Sequence, residues 1–150
     1  LQDSSMIARK LIDVDFTVCA SPEYFAKNGV PKTPEDLINH NVIAYTRNKG
    51  AHEWQYETSD GKFGTTKLSS GFKADSAVMM IEASLNDIGI IIMPTLFIKQ
   101  YIASGELLEV LAEYKTVPER NVYAVFPPNR YLSTRVRLLI EHLDQFCQSI

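Results

Sequence analysis

Residues 20–45, ASPEYFAKNGVPKTPEDLINHNVIAY, contain two complete helix-start signals on either side of a glycine. Ser21 and Thr33 each place a hydroxyl cap before a proline, and acidic residues follow in the first turn of each helix. Gly29 stands where the first short helix should end in a left-handed conformation. The stretch therefore predicts two short helices that follow a strand.

The composition is that of an ordinary globular domain, or of one large lobe of such a domain. The chain has 150 residues, of which 45% are hydrophobic and 22% charged, and its net charge is −3. This balance argues against binding of duplex nucleic acid by this segment alone, because phosphate binding needs clustered Lys and Arg. No apolar run reaches the roughly 20 residues that span a bilayer. Residues 1–10 lack the apolar centre of a signal peptide, and a first residue other than Met favours a natural start further upstream.

The two cysteines, Cys19 and Cys147, are far apart and form no C-x-x-C motif. We interpret them as two buried, reduced thiols of a cytosolic protein. A redox switch is the alternative, and it is disfavoured because neither thiol has cationic neighbours that would lower its pKa.

The first half of the chain outside the helices predicts strands. Residues 15–20 and 41–45 are typical of short strands. Residues 53–57 alternate polar and apolar side chains, which places Trp54 and Tyr56 on one face as packing residues. Asp60-Gly61 is a strong turn signal, so this strand should form a hairpin with residues 62–68.

The second half alternates helices with strands, which indicates an α/β fold with an open sheet. Residues 75–86 predict a helix with Asp75 as its N-cap. Residues 89–94 form a continuous apolar run, which is typical of a parallel-sheet strand buried on both faces. A helix over 95–103 should end at Gly105, and residues 122–126 should form another buried strand.

The last segment predicts an amphipathic helix with Ser133 as its cap. Its polar face carries charged residues, and its apolar stripe comprises Leu132, Val136, Leu139, Ile140, Leu143, Phe146, Cys147 and Ile150.

The histidines give no sign of catalysis. His40, His52 and His142 belong to no known catalytic motif, and no His, Cys or acidic pair has metal-ligand spacing. We therefore expect a protein that is not an enzyme and that has no catalytic residue, metal or cofactor.

Binding is the more plausible activity. In open α/β sheets, ligands bind outside the carboxyl ends of strands, often against helix N-termini. The turn at residues 73–76 offers such a place, because free amides there could hold a carboxylate or phosphate. Ser21 offers a second helix start. The alternative is that Asp75 and Ser21 are only helix caps, which alone would explain both side chains.

Four segments in order, together with Trp54, carry a resemblance to a known family. They are residues 20–40 (ASPEYFAKNGVPKTPEDLINH), 73–94 (KADSAVMMIEASLNDIGIIIMP), 104–111 (SGELLEVL) and 122–143 (VYAVFPPNRYLSTRVRLLIEHL). The chain resembles the effector-binding, or co-inducer, domain of LysR-type bacterial transcriptional regulators, truncated at its N-terminus.

The resemblance implies an α/β fold: a type 2 periplasmic-binding-protein-like lobe, with a mixed open sheet flanked by helices, beside an incomplete second lobe. Residues 1–20 would be a remnant of lobe I with the first crossover strand. Residues 21–126 would form lobe II, and residues 127–150 a helix that returns to lobe I. The apolar stripe of that helix would then need cover from another chain or from altered packing.

The resemblance also implies a function. A small, anionic effector would bind between the lobes and control the arrangement of a cytoplasmic dimer or tetramer, which would bind DNA through a helix-turn-helix absent from this chain and contact no membrane. The alternatives are an oligomerisation module with no physiological ligand and a solute-binding protein for transport. Asp87 stands where many relatives have glycine, and Asp adopts the left-handed conformation only at some cost. The effector-facing residues carried over from the family are Ser21, Ala74, Asp75, Ser76, Pro94 and Thr95.

Overall fold

The computed structural model describes residues 6–46, 52–127 and 134–148. These residues form two compact units, one of the described residues before Asp15 and after Pro118, the other of Asp15–Pro118. The helices are α1 (Pro22–Asn28), the 3-10 helix η1 (Pro34–Asn39), α2 (Ala77–Leu85), α3 (Thr95–Ser104) and α4 (Thr134–Gln148). The strands are β1 (Ile7–Val14), β2 (Phe16–Ala20), β3 (Ala44–Tyr45), β4 (Glu53–Glu57), β5 (Phe63–Lys67), β6 (Lys73–Ala74), β7 (Ile91–Pro94), β8 (Leu108–Val110), β9 (Lys115–Thr116) and β10 (Arg120–Phe126).

The Asp15–Pro118 unit is built around strand β2. Antiparallel partners flank β2, with β7 on one side, where Phe16 lies opposite Pro94, and β8 on the other. Other pairings in this unit are parallel. Val42 forms a parallel bridge with Ile90, and β3 pairs in parallel with β6. The predicted mixed α/β architecture is confirmed.

The prediction of a parallel strand at residues 89–94 holds on one side only: Ile90 forms a parallel bridge with Val42, whereas β7 runs antiparallel to β2. What the apolar run did predict is burial: Ile90 and Ile91 are fully buried and belong to different core clusters. A strand is buried on both faces when other elements pack on both sides of the sheet. Its direction relative to its neighbours depends on the chain connections, which an apolar run does not reveal.

Alternate side chains of β2 enter the two core clusters. Val18 and Ala20 pack with α1 and the β4 aromatics, whereas Cys19 packs with α2 and α3. Burial raises the pKa of the Cys19 thiol to about 12, which disfavours the reactive thiolate. Cys147 is only partly buried, in contrast to the prediction.

The helix starts agree with the sequence at α1 and differ at α2. Ser21 caps α1, and its hydroxyl oxygen accepts a hydrogen bond from the Tyr24 amide at 3.1 Å. Gly29 ends α1 with φ +84° and ψ 164°, a positive-φ conformation outside the predicted left-handed helical region and accessible essentially to glycine alone. The predicted N-cap Asp75 is wrong: α2 begins one residue later, with Ser76 at the cap position.

The predicted hairpin of β4 and β5 is confirmed, and its aromatic side chains pack as expected. Trp54 and Tyr56 are both buried and share an aromatic cluster with Tyr114. The Trp54 indole N–H donates to the Thr116 hydroxyl at 3.0 Å, and the Tyr56 hydroxyl donates to Glu35 at 2.8 Å. The contact with Glu35 ties the hairpin to η1.

The other unit pairs β1 with β10 in an antiparallel ladder, and Arg9 of β1 forms a 2.7 Å ion pair with Asp144 of α4. The prediction that β10 is buried is wrong, since Val122 is 46% exposed. On α4, Ile140 is buried whereas Leu139 is 57% exposed, so cover for the apolar stripe stays a prediction. The predicted cap Ser133, with Leu132 and Ile150 of the stripe, lies outside the described residues.

The predicted lobe II boundary differs from the compact unit by several residues at each end. The prediction places residues 21–126 in lobe II, whereas the unit comprises Asp15–Pro118. β2 belongs to this unit because it pairs with β7 and β8, and β10 belongs to the other because it pairs with β1. The assignment of lobes remains a prediction.

Gly89 lies where two backbone segments approach too closely for a side chain. A Cβ atom built on Gly89 would lie 2.2 Å from the carbonyl oxygen of Asn41. That carbonyl also accepts the Ile90 amide at 2.9 Å, so it cannot move without breaking the contact between β3 and the start of β7.

We expect Gly89→Ala to lower the free energy of unfolding by about 3 kcal/mol, because the added methyl group must displace backbone. Gly105→Ala is the matched control: Gly105 has φ +80° but nothing lies near its missing Cβ. Backbone strain alone should make the control cost about 1 kcal/mol. Urea denaturation of both variants measures the difference, and equal losses would contradict the steric argument.

His40 is buried and takes part in a polar chain. The Asn41 amide donates to the Tyr24 hydroxyl at 3.0 Å, and that hydroxyl lies 3.2 Å from Nδ1 of His40. Which atom donates in the contact between the Tyr24 hydroxyl and Nδ1 depends on the His40 tautomer. Burial lowers the pKa of His40 below 6.5, although the nearby Asp36 acts in the opposite direction.

We therefore expect stability to fall as the pH drops below 6.5, the unfolded value for His40. Below that pH the unfolded chain binds a proton on His40 more readily than the folded protein, so protonation favours unfolding. Urea denaturation between pH 7.5 and pH 5 should give a steeper loss for the wild type than for His40→Gln. Parallel curves for the two proteins would show that His40 is not responsible.

Candidate functional site

Three segments of the Asp15–Pro118 unit run in the same direction and end at one edge of the sheet. Tyr45 lies opposite Ala74 in the parallel β3–β6 pair, and the parallel bridge between Val42 and Ile90 sets the direction of β7. β2 runs the other way and begins at this edge. We call this edge of the sheet, where β3, β6 and β7 end, the carboxyl edge. Its residues are Thr17, Thr46, Ala74, Asp75, Ser76, Pro94 and Thr95.

The carboxyl edge is held together by backbone hydrogen bonds. The Thr46 amide donates to the Ala74 carbonyl at 2.9 Å, and the Thr95 amide donates to the Asp15 carbonyl at 3.0 Å. Adjacent strands lie about 4.8 Å apart, so Ala74 and Pro94, on either side of β3, are separated by on the order of 10 Å. The order of the strands thus puts five of the six sequence-predicted residues at one edge of the sheet.

Two helices begin at the carboxyl edge. α2 starts after Ser76 and α3 starts after Pro94, and neither start has a side-chain capping bond. The first amides of a helix have no acceptor within the helix, and the helix dipole favours negative charge there. Asp75 is exposed and Ser76 half-buried, so both can be reached by a solute. The arrangement is able to hold a carboxylate or phosphate.

Thr17 belongs to this edge and was missed by sequence reasoning. Its hydroxyl lies 2.8 Å from the hydroxyl of Thr95. Thr17 is 4% exposed, whereas Thr95 is half-buried. The signal in the sequence was a lone polar side chain within the apolar strand of residues 16–20, and its partner 78 residues away could not be inferred from it.

Ser21, the sixth predicted residue, lies at the other end of β2. Five strand residues span about 16 Å, so Ser21 cannot share a small ligand with Thr95. Its side chain is 2% exposed, accepts from the Tyr24 amide and donates to Asp87 Oδ1 at 2.7 Å. The structure accounts for Ser21 as a cap and a link to Asp87.

Asp87 adopts the left-handed conformation expected where relatives have glycine, with φ +61°. Its carboxylate accepts from the Ser21 hydroxyl and from Lys27 Nζ at 3.0 Å. These two contacts, the Ser21 hydrogen bond first, hold the pKa of Asp87 below its usual value. The acidic side chain thus compensates for backbone strain by joining the α2–β7 turn to α1.

A groove of about 310 Å³ lies beside Ser21, away from the carboxyl edge, and is lined by Ser21, Pro22, Glu23, Leu85, Gly105 and Glu106. Both charged residues of this lining are acidic, whereas the carboxyl edge has one acidic residue, Asp75, beside two helix starts. This groove is a poor match for the expected anionic effector.

Residues 6–46, 52–127 and 134–148 contain neither a cluster of metal-ligating side chains nor a helix able to span a membrane. No group of three or more His, Cys, Asp or Glu side chains that could hold a metal ion occurs in these ranges. Within the same ranges, every helix is too short or too polar to cross a membrane.

Comparison with known proteins identifies the family. The LysR substrate binding domain matches residues 1–148, and the chain belongs to this family. It is 32% identical over 145 residues to the HTH-type transcriptional regulator YhjC of Escherichia coli K12, covering 95% of this chain and 48% of YhjC. The chain spans about half the length of the curated relatives it matches.

Solved structures of related regulators share the fold. The regulatory domain of CrgA from Neisseria meningitidis, a LysR-type transcriptional regulator, superposes with a TM-score of 0.82 at 30% identity, covering 98% of this chain and 71% of that one. The full-length Vibrio cholerae virulence activator AphB gives a TM-score of 0.82 at 25% identity, covering 97% of this chain and 49% of AphB.

Two substitutions of Asp87 distinguish the cost of its strained backbone from the loss of its side-chain contacts. Asp87→Gly and Asp87→Ala both remove the acceptor of Ser21 and Lys27, but only glycine adopts φ +61° without strain. Asp87→Gly should therefore melt several degrees above Asp87→Ala in thermal unfolding followed by circular dichroism. Identical melting temperatures would mean that the backbone at residue 87 relaxes on substitution.

Proposed function

We propose that this chain is the effector-sensing part of a LysR-type transcriptional regulator, and that a small anionic molecule binds at the carboxyl edge. The observation that carries the proposal is the convergence at one edge of three co-directional strand ends, two uncapped helix starts and the Thr17–Thr95 hydroxyl pair. Such an edge is where open α/β sheets bind ligands.

The proposed site residues act in three ways. Ala74, Asp75 and Ser76 form the turn that presents the first amides of α2 to the ligand. Pro94 directs the chain from β7 into α3 and carries Thr95 to the edge. Thr95 supplies a hydroxyl, which is hydrogen-bonded to the hydroxyl of Thr17. Ser21 is left out of the proposed site because it lies at the opposite end of β2.

The consequence of binding would appear in the complete regulator. A ligand shifts an equilibrium only through different affinities for two states, so the effector must bind one arrangement of the oligomer more tightly. The relatives are HTH-type transcriptional regulators. We accordingly propose that the whole protein self-associates as a dimer or tetramer, binds DNA in the cytoplasm through a segment outside this chain, and regulates without catalysing a reaction.

Ala77→Pro tests the site at α2. Ala77 is the first residue of the helix, where proline fits, and Ser76 has φ −128° and ψ 131°, which suits a residue before proline. The substitution removes one amide donor and leaves the helix intact. We expect about a tenfold weaker response of the full-length regulator to its effector in a DNA-binding assay, as for the loss of one charge-assisted hydrogen bond.

Ala77→Gly is the matched control, since it keeps the amide and alters only helix propensity. Its effector response should stay near that of the wild type. An unchanged response in Ala77→Pro would contradict the assignment of the α2 amides. Calorimetry of the intact two-lobed domain against small carboxylates provides the broader check: absence of heat with intact self-association would favour the oligomerisation module.

A further inference from the structure

The hydrogen bond between the Thr17 and Thr95 hydroxyls has a direction, which depends on the surroundings of the two side chains. The two hydroxyl oxygens are 2.8 Å apart, and either could be the donor on geometry alone. In the part of the chain that the structure describes, this bond is the one side-chain hydrogen bond that each hydroxyl makes. Each hydroxyl carries one hydrogen, so the bond consumes one hydrogen and leaves the other without an acceptor.

The burial of the two side chains decides which hydrogen is left over. Thr17 is 4% exposed and lies within the sheet, whereas Thr95 is half-buried at the carboxyl edge. If Thr95 donated, the hydrogen of Thr17 would be buried without a partner, which carries the full desolvation penalty. If Thr17 donates, the remaining hydrogen belongs to Thr95, where solvent or a ligand can accept it.

We infer that Thr17 donates to Thr95 and thereby leaves the Thr95 hydroxyl hydrogen free to donate to the bound molecule. Thr95 then offers a donor to a hydrogen-bond acceptor on the ligand, such as a carboxylate or phosphate oxygen. Thr17 is a positioning residue that does not touch the ligand, and Thr95 makes the contact. The ligand part of this inference rests on the proposed function.

Two physical effects make Thr95, when it is paired with Thr17, a stronger and better-oriented donor than an unpaired threonine. A hydroxyl that accepts a hydrogen bond is polarised and becomes a stronger donor. In addition, an unsupported threonine hydroxyl can turn to its own backbone carbonyls, which would remove it from the ligand. The bond to Thr17 opposes that rotation, because Thr17 is buried on the central strand of its sheet, opposite Met93 of β7.

The direction of the bond can be measured without any ligand. In NMR spectra of the chain at low temperature, we expect the hydroxyl proton of Thr17 to exchange slowly with water and that of Thr95 to exchange rapidly. Thr95→Val should abolish the protection of the Thr17 hydroxyl by removing its acceptor. A protected Thr95 hydroxyl beside a rapidly exchanging Thr17 hydroxyl would overturn the inference.

The donor role of Thr95 is tested by titration with acetate, followed through the Thr95 amide signal. We expect the affinity for acetate to be about tenfold lower in Thr95→Val and about threefold lower in Thr17→Val. Thr17→Ser should restore binding, because serine keeps the donor. Thr65→Val, an exposed position on β5, controls for the exchange of threonine for valine.

The results distinguish an error in the proposed site from an error in the positioning role of Thr17. If acetate does not perturb the carboxyl edge of the wild type, the proposed site is wrong. If acetate binds but Thr17→Val, still folded by circular dichroism, binds it as the wild type does, the positioning role of Thr17 is wrong.

Discussion

Asn41 makes the contacts on which the arrangement of the Asp15–Pro118 unit depends. Its side chain accepts from the Gly71 amide and donates to the Ile88 carbonyl, both at 2.7 Å. Its backbone amide donates to the Tyr24 hydroxyl, and its carbonyl accepts from the Ile90 amide. One residue therefore joins the starts of β3, β6 and β7 to α1. Because these strands start from a common anchor and run in one direction, their carboxyl ends meet at one edge.

β2 has a different task at each of its ends. At its carboxyl end, Ser21 caps α1 and binds Asp87, which joins three segments in a purely structural contact. At its amino end, Thr17 supports Thr95 at the edge where the ligand is proposed to bind. The three residues between Thr17 and Ser21 separate the rigid connection from the proposed recognition surface, so substitutions at either end should have distinct effects.

Much of the fold could be predicted because its signals are local. The proline-containing starts of α1 and η1, the Asp60-Gly61 hairpin and the glycine end of α3 all act within a few residues. Five of the six residues that the family resemblance suggested lie at one edge of the sheet, and their contact with an effector remains a proposal. The cap of α2 was missed by one residue, because Asp75 and Ser76 both suit an N-cap and only the chain path selects between them.

The sequence alone determined the starts of α1 and η1, the hairpin of β4 and β5 and the burial of residues 90–93, and the family resemblance added the left-handed turn at Asp87. Tertiary structure alone decided the antiparallel direction of β7, the exclusion of Ser21 from the edge and the pairing of Thr17 with Thr95. The reason is physical: helix caps and hydrophobic periodicity act over a few residues, whereas these three features depend on contacts between segments more than 60 residues apart.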